Sequence, residues 1–359
     1  MTVLRIDRDE ARRIAVRAAL LDARPVEGLE HLVTAVSGIR VELTSIVMPS
    51  ADHILWSRLG DDARPGDAEL SLEQGRLWER MWMLRPLSQL PLHLAGMRTW
   101  LDRSGARGWL EANARFRRSI LDRIADSGPV TSADVPDEAE APWPSSGWTN
   151  DRNVTKMLEI MHGAGDLAVI GRAGRYRVWD LRENVLPPAE EVPEEEARRI
   201  RAHRLLAAFG IARDSVAIAP SELHTAERVG ELVEIDGVPG RWRVDPAQLG
   251  QPFAGRTALL SPFDRLMTDG ARIDRLFGFE YGIDMYKPAA KRRWGPFAIP
   301  VLHEERLIGK VDMRADRRAG TLVVAAVHED APFPPSVRDA VDARLAELAA
   351  WQHLRLVRA

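Results

Sequence analysis

The sequence predicts an α+β protein in which helix-then-hairpin units stand in tandem ahead of a β-rich, barrel-like module. Three observations carry this. Residues 165–180 (GDLAVIGRAGRYRVWD) and 230–245 (GELVEIDGVPGRWRVD) echo one another: each opens Gly-acid-Leu, alternates, passes a glycine-containing tip and returns as Gly-Arg-aromatic-Arg-Val to an Asp. Alternation around a glycine tip is the signature of a β-hairpin. Ahead of them, apolar residues recur at helical spacing through several polar segments. Beyond about residue 255, short apolar stretches are separated by turns, as in a small barrel.

Taken in order, Arg8 to Leu21 predicts a helix, with Ala11, Ile14, Ala15, Ala18 and Leu21 on one face. Ser50 to Leu59 predicts a second. Ser71 to Met83 predicts a third, with Ser71 as N-cap and Gln74 three residues on completing a capping box. Asn113 to Ile124 predicts a basic helix carrying Arg115, Arg117, Arg118 and Arg123. Arg152 to His162 predicts the helix before the first hairpin, and Ser221 to Val229 the one before the second. Helices followed by a two-stranded hairpin make a winged helix, the hairpin being the wing, and repetition about 65 residues apart points to tandem units. Strands are expected at Thr257–Leu260, Gly282–Tyr286, Ala298–Leu302, Leu307–Met313 and Thr321–His328, with a helix from Pro335 to about Leu354 closing the chain. The domains predicted are 1–112, 113–190 and 191–252 as winged-helix units and 253–359 as the barrel-like module.

Of 359 residues, 45% are hydrophobic and 29% charged, a globular balance that excludes wholesale disorder. The longest apolar run, Leu322 to Val327, is far short of the roughly 20 residues a membrane helix needs. The opening MTVLRIDRDEARR has no apolar core of a secretory signal. The chain has no cysteine, which excludes disulfides, thiolate metal sites and cysteine nucleophiles and fits a cytoplasmic setting. The histidines are scattered without a His-x-x-x-His pair, so neither a metal nor any other cofactor is expected. Phosphate-loop, dinucleotide-binding and Gly-x-Ser-x-Gly motifs are missing too.

Net charge is −3, which taken alone argues against a nucleic-acid binder. Its distribution reverses that. Residues 133–141 carry −4 and residues 183–197 carry −6, so the remainder is +7. Both acidic stretches are proline-rich and read as linkers or domain edges. The basic residues are 46 Arg and only four Lys. Arg suits phosphate by its planar fork, although a high-GC genome gives the same bias. The first hairpin offers Arg172, Arg175, Tyr176 and Arg177, with Arg152 and Lys156 on the helix before it; the second offers Arg228, Arg241, Trp242 and Arg243. Strand alternation puts the arginines of each Arg-aromatic-Arg triplet on an outward face and the aromatic inward. Lys291, Arg292 and Arg293 form the densest basic cluster. Such patches position a nucleic acid through its phosphates, and a solvated face looks the same.

The passage from Leu259 to Gly320 (LLSPFDRLMTDGARIDRLFGFEYGIDMYKPAAKRRWGPFAIPVLHEERLIGKVDMRADRRAG), together with Gly147–Leu181 and Ala51–Gly60, resembles the bacterial AlkZ/YcaQ group of winged helix-turn-helix DNA glycosylases. The resemblance covers nearly the whole chain. It implies a C-shaped scaffold of tandem winged helices followed by a β-barrel, and it implies excision of alkylated bases or unhooking of interstrand crosslinks by monofunctional hydrolysis. The implied partner is damaged double-stranded DNA, met by a monomer at the nucleoid. Family enzymes position water at the sugar with a Gln-apolar-Gln or Gln-apolar-Asp motif. Here the matching residues are Arg40-Val41-Glu42, so Arg40 stands where Gln is expected and Glu42 at the second polar position. AlkZ-type members also carry Arg-x-Trp-x-x-Arg on the cleft wall, matched by Arg80, Trp82 and Arg85; the His-Glu pair of YcaQ-type members is missing. Core packing is the plainer role for the apolar block Met81 to Leu84, and Asp264 and Met267 are expected to fix structure.

Glu42 suits an oxocarbenium-like sugar and an attacking water; the guanidinium of Arg40 does not, since it repels positive charge and is no base. In an extended segment the two share a face. Arg40 then either pairs with Glu42, an attraction of about 4 kcal/mol at 4 Å and an effective dielectric near 20 before desolvation, or turns to a phosphate and leaves Glu42 free. A non-catalytic DNA-binding paralogue, a lesion sensor or regulator, is the alternative function.

Overall fold

The computed structural model describes residues 3–359 except 43, 145–151, 215, 220, 221, 225–228 and 286. It is a mixed α+β chain that divides into two compact units, one made of residues 1–68 and 202–359 and the other of residues 69–201. In chain order, β1 (Leu4–Ile6) is followed by α1 (Arg8–Ala18), α2 (Gly28–Ala35), β2 (Ile39–Arg40), α3 (Ser50–Leu59) and α4 (Asp67–Glu73). Next come β3 (Leu77–Arg80), β4 (Met83–Pro86), α5 (Pro91–Arg98), α6 (Trp100–Ser104), α7 (Arg107–Ala112), α8 (Ala114–Ser127), α9 (Asn153–Ala164), β5 (Leu167–Ala173), β6 (Tyr176–Leu181) and α10 (Arg182–Val185). Then follow α11 (Glu194–Phe209), β7 (Ile211–Arg213), β8 (Val216–Ala219), β9 (Glu222–His224), β10 (Glu231–Ile235), β11 (Val238–Val244), β12 (Thr257–Leu259), α12 (Gly270–Phe277), β13 (Ile299–His303), β14 (Arg306–Asp316), β15 (Thr321–Glu329), α13 (Pro335–Trp351) and β16 (Arg355–Arg358).

In the first unit, α1 begins at Asp7, whose carboxylate accepts from the Glu10 N–H and so satisfies one of the free donors of the first turn. Its Ala11, Ile14 and Ala15 are fully buried against Ile211, Val233, Trp242 and Val244. These belong to a four-stranded sheet of order β1-β10-β11-β7, in which the second predicted hairpin supplies the central antiparallel pair and β1 adds to it in parallel. Gly210 ends α11 with φ +67, and a Cβ there would lie 2.7 Å from the Ile14 carbonyl oxygen, so only glycine lets α11 pass this close to α1.

The C-terminal strands form a five-stranded sheet, β12-β13-β14-β15-β16, curled into a half-barrel. Its inner side chains Leu259, Ile299, Val301, Val311, Met313 and Leu322 pack on Val341, Leu345 and Leu348 of α13 and on Trp56 of α3. Every residue of α3 is buried, polar ones included. Buried charge survives only where every donor finds a partner, and Arg58 meets that condition. Its guanidinium donates to Ala19 O from Nε and Nη2 (3.1 and 2.9 Å), to Ser57 Oγ (2.8 Å) and to both oxygens of Asp264, and neither side chain of the pair is exposed at all. Asp264 thus fixes structure, as expected.

In the second unit, α8 and α9 carry the hairpin β5–β6, which extends by a bridge between Val130 and Trp179 whose two hydrogen bonds measure 2.9 and 2.8 Å. A separate core of Trp78, Leu90, Leu94, Met97, Ala168 and Leu186 joins β3 to α5 and β5.

Several expectations are corrected. Ser71–Met83 is not one helix: α4 stops at Glu73, and residues 77–86 form the β3–β4 hairpin. Ser71 is a fully buried residue inside α4 whose hydroxyl accepts from Arg76, not an N-cap. Of Ser221–Val229, residues 222–224 are strand β9, paired with β8; residues 221 and 225–228 lie outside the described residues, and the helix before the second hairpin is α11. Among the described residues of 282–286 there is no strand. The module is a half-barrel, and α13 is followed by β16, which pairs in parallel with β15. The first acidic stretch is no free linker: Asn113 Oδ1 accepts from the N–H groups of Glu140 and Ala141 at 2.9 and 3.1 Å. In the second, Glu194, Glu195 and Glu196 form the first turn of α11, where carboxylates suit the helix dipole. Among the described residues no helix is long and apolar enough to cross a membrane.

Two predictions follow from the buried polar groups. Replacing Arg58 with Met leaves the Asp264 carboxylate buried without its cation and should cost about 3–5 kcal/mol, read as a lower urea midpoint. Burial lowers His53 to about 4 and His162 to about 3. Both stay neutral in the folded chain, while the unfolded imidazoles take up protons near pH 6.5. Stability is therefore full above about pH 6.5 and falls as pH drops toward 4, by up to about 1.4 kcal/mol per pH unit for each histidine. Urea unfolding in steps from pH 7.5 to 5 checks this; a flat profile would contradict the neutral burial of both rings.

Candidate functional site

The segment holding Arg40 and Glu42 is built from both ends. At its start α2 closes with the Gly38 N–H on Val33 O (2.8 Å) and the Ser37 N–H on Thr34 O (3.1 Å). Ser37 and Gly38 carry φ of +55° and +94°, the left-handed exit of a Schellman cap. At its end Ser50, the first residue of α3, gathers the backbone. The Glu42 N–H donates to Ser50 Oγ at 2.8 Å, and the Ser50 hydroxyl donates to Arg40 O at 2.7 Å. One hydroxyl thus pins both ends of the Arg40-Val41-Glu42 triplet.

The side chains of the triplet part company. Glu42 is half-buried, and its Oε1 accepts from the N–H and hydroxyl of Thr44 at 3.3 and 3.4 Å. Among the described residues no ion pair joins it to Arg40. Arg40 is half-buried in β2, and its Nε has no hydrogen-bond partner there. Of the two arrangements open to Arg40, the pair with Glu42 is therefore not the one adopted, and the carboxylate is not neutralised by its neighbour. Thr44 and Ser50 were not singled out in the sequence; the only signal was that Ser50 opens a helix eight residues after Glu42.

In the second unit Arg80, Trp82 and Arg85 fall on the β3–β4 hairpin. Its two-residue turn gives Met81 and Trp82 φ of +51° and +64°, the I′ geometry that glycine or asparagine usually takes. Bulky residues there cost of order 1–3 kcal/mol each. Trp82 is held by Arg177 of β6, whose guanidinium carbon lies 3.2 Å from the centre of the indole ring. Arg177 in turn pairs with Glu79 of β3, a fully buried carboxylate that also takes Arg172 at 2.5 Å; Arg172 further pairs with Glu69. Arg80 and Arg85 are both buried: Arg80 donates to Gly163 O at 3.2 Å, and Arg85 to Arg80 O at 3.0 Å. Burial, and next the charge of Arg85, lower Arg80 to about 9, so it remains charged at neutral pH. Glu79 escaped notice in the sequence because it stood inside a segment expected to be helical.

The outward arginine face expected of the first hairpin is corrected by this network. Arg177 is buried and Arg172 mostly so, both turned to Glu79. Arg175 at the tip is exposed and stacks on Tyr176 at 4.9 Å, and Arg152 is exposed at the start of α9. Lys156 pairs with Glu159 at 2.8 Å. In the second hairpin Trp242 is fully buried as expected; Arg241 is 72% exposed and Arg243 14%, and both meet Asp214. Lys291 is exposed, Arg292 donates to Lys287 O at 3.0 Å, and Arg293 pairs with Glu280. Among the described residues no cluster of three His, Asp or Glu could hold a metal ion.

The stack of Arg177 on Trp82 makes a measurable pair. A double-mutant cycle of Arg177→Ala and Trp82→Ala, followed by urea unfolding, should return a coupling of about 1–2 kcal/mol. Strictly additive losses would mean the stack contributes nothing.

Two comparisons place the chain. Residues 40–351 match the family described as "DNA glycosylase AlkZ-like". Among solved structures, the fold matches the DNA glycosylase AlkZ of Streptomyces sahachiroi with a TM-score of 0.67 and 15% identity, covering 99% of this chain and 100% of that one. The family match spans most of the sequence and begins at Arg40, the first residue of the triplet: the chain belongs to the AlkZ-like DNA glycosylase family.

Proposed function

We propose that this chain, a DNA glycosylase by family, hydrolyses the N-glycosidic bond of cationic N7- or N3-alkylated purines in duplex DNA, with crosslinked purines as a related substrate. The observation that carries the reading is the placement of Glu42: a carboxylate on a pinned segment that, among the described residues, makes no ion pair with Arg40 and takes its side-chain hydrogen bonds from the neutral groups of Thr44.

The chemistry asks little else. In an alkylated purine nucleotide the bond from C1′ to the purine nitrogen breaks with its electron pair going to the base, which leaves neutral. Positive charge then develops on the sugar, and a nearby carboxylate stabilises it. Water adds to C1′ and gives up a proton, which Glu42 accepts as general base. Arg40, with no acid paired to it among the described residues, is assigned to a DNA phosphate, where its charge assists binding without meeting the sugar cation.

DNA contact is assigned to Arg152, Arg175, Arg241, Lys291 and Arg293, the more exposed basic residues, with Lys156 and Arg292 beside them. Arg172, Arg177 and Arg243 brace the hairpins that present these groups, and Trp82 is read as a lesion-side residue of the β3–β4 turn, with Arg80 and Arg85 stiffening the hairpin beneath it. The helix–hairpin units are read as winged helices within 1–112, 113–190 and 191–252, ahead of the module 253–359, and the enzyme as a monomer.

The test is single-turnover base release from a duplex bearing one N7-methylguanine, and from one bearing a purine–purine crosslink. Glu42→Ala should slow release of the order of 100-fold or more, and Glu42→Gln nearly as much, with duplex affinity little changed. Undiminished release by Glu42→Ala would remove Glu42 from the reaction. Tight, salt-dependent binding by wild type without release of either base would overturn the proposed substrates.

A further inference from the structure

Arg265 stands 223 positions along the chain from Glu42 and has no part in the chemistry just described. It is nonetheless buried, and its guanidinium is spent on three consecutive backbone carbonyls at the C-terminal end of α2. Nε donates to Val36 O at 2.9 Å, and Nη2 to Ser37 O at 3.0 Å and Gly38 O at 3.4 Å. These are the last groups of the chain before Ile39-Arg40-Val41-Glu42. The guanidinium carbon also lies 5.7 Å from the Phe209 ring centre, so an aromatic contact accompanies the carbonyl contacts.

Helix-end carbonyls bear partial negative charge and have no partner within the helix. A cation there is favourable, but the ammonium of a lysine is a point charge on a flexible stem and sets no plane, so it would leave the direction of exit loose. The planar fork of arginine fixes three at once. Asp264, the neighbour of Arg265, holds Arg58 of α3, and α3 begins with Ser50, the residue that pins Arg40 O and the Glu42 N–H. The segment is therefore clamped at its entry by Arg265 and at its exit by Ser50, and the two clamps are tied to each other through the Asp264–Arg58 pair. The Schellman exit alone would close α2; it would not fix β2 against α3.

We propose that Arg265 is a positioning residue for base release: it sets the orientation in which the Glu42 carboxylate is offered to the sugar. This rests on Glu42 acting in the reaction, as proposed above. Misplacement of a reacting group by about 1 Å costs roughly 100-fold in rate, so loosening the entry clamp acts on the chemical step and spares DNA binding.

The experiment uses the full chain with Arg265→Lys and Arg265→Met, each alone and in a Glu42→Ala background. The measurements are single-turnover release from the N7-methylguanine duplex, affinity for that duplex, and amide hydrogen exchange of the peptide covering residues 36–42. The expected result is a fall in release of roughly 10- to 100-fold for Arg265→Met and a smaller one for Arg265→Lys, with affinity within a factor of about three. Exchange at 36–42 should rise while the β-sheets keep their protection. In the Glu42→Ala background neither substitution should slow release further.

Equal losses with and without Glu42 would overturn the proposal, as would unaltered exchange at 36–42 in both variants. If Arg265→Met fails to fold, Arg265→Lys keeps the charge and decides alone. Failure of the underlying reading looks different: Glu42→Ala by itself then releases base at the wild-type rate. In that case Arg265 has no carboxylate to position.

Discussion

The Arg58–Asp264 pair is the constraint on which the first unit depends. Two full charges sit with no solvent exposure, and every N–H of the Arg58 guanidinium and both Asp264 oxygens are hydrogen-bonded. Arg58 binds the carbonyl that ends α1, Asp264 accepts the Leu266 N–H in the following turn, and Ser57 supplies the remaining acceptor. Such a pair is poor evidence of stability, because desolvation offsets most of the attraction. Its consequence is geometric: α1, α3 and the turn before α12 can meet in only one way. That arrangement puts Ser50 under the Arg40–Glu42 triplet and Arg265 behind it.

The second unit is organised by the opposite sign. Glu79 is a buried carboxylate that draws Arg172 and Arg177 inward from the first hairpin, and Arg177 then lies flat on Trp82. The strained β3–β4 turn is held by this stack and by the backbone contacts of Arg85. Arginine is suited to both positions, since its planar ion can use its edge for a carboxylate and its face for an indole at once. The abundance of arginine in this chain is thus partly structural: Arg17, Arg58, Arg80, Arg85, Arg177, Arg265 and Arg272 are all buried.

For function, the departure of the triplet from the expected pattern matters less than the side-chain directions. An arginine in place of glutamine would quench Glu42 if the two paired. Among the described residues they do not, and the carboxylate turns to Thr44 instead. The proposed role of Glu42 at the sugar rests on this separation of the two side chains, and the proposed role of Arg40 at a phosphate rests on it too.

What the sequence determined by itself is whatever is written in local periodicity. Alternation about a glycine tip located both β5–β6 and β10–β11, helical spacing located α1, α3, α8 and α9, four of the five short apolar stretches located β12 to β15, and the closing helix was read separately as α13. The triplet and the Arg-x-Trp-x-x-Arg segment were legible only because a family pattern drew attention to them. Tertiary structure decided the rest. Residues 77–86 fold as a hairpin because Trp78 and Leu84 pack into the core while Glu79 is met by arginines some 90 residues away; no local spacing records that. The same distant acid turned Arg172 and Arg177 inward, and β16 pairs in parallel with β15 on the far side of α13 in the chain, a contact no local pattern records. Period and turn chemistry act over a few residues and can be read along the chain. The partner of a buried charge is set by which distant elements share a core, and that is fixed only when the chain has folded.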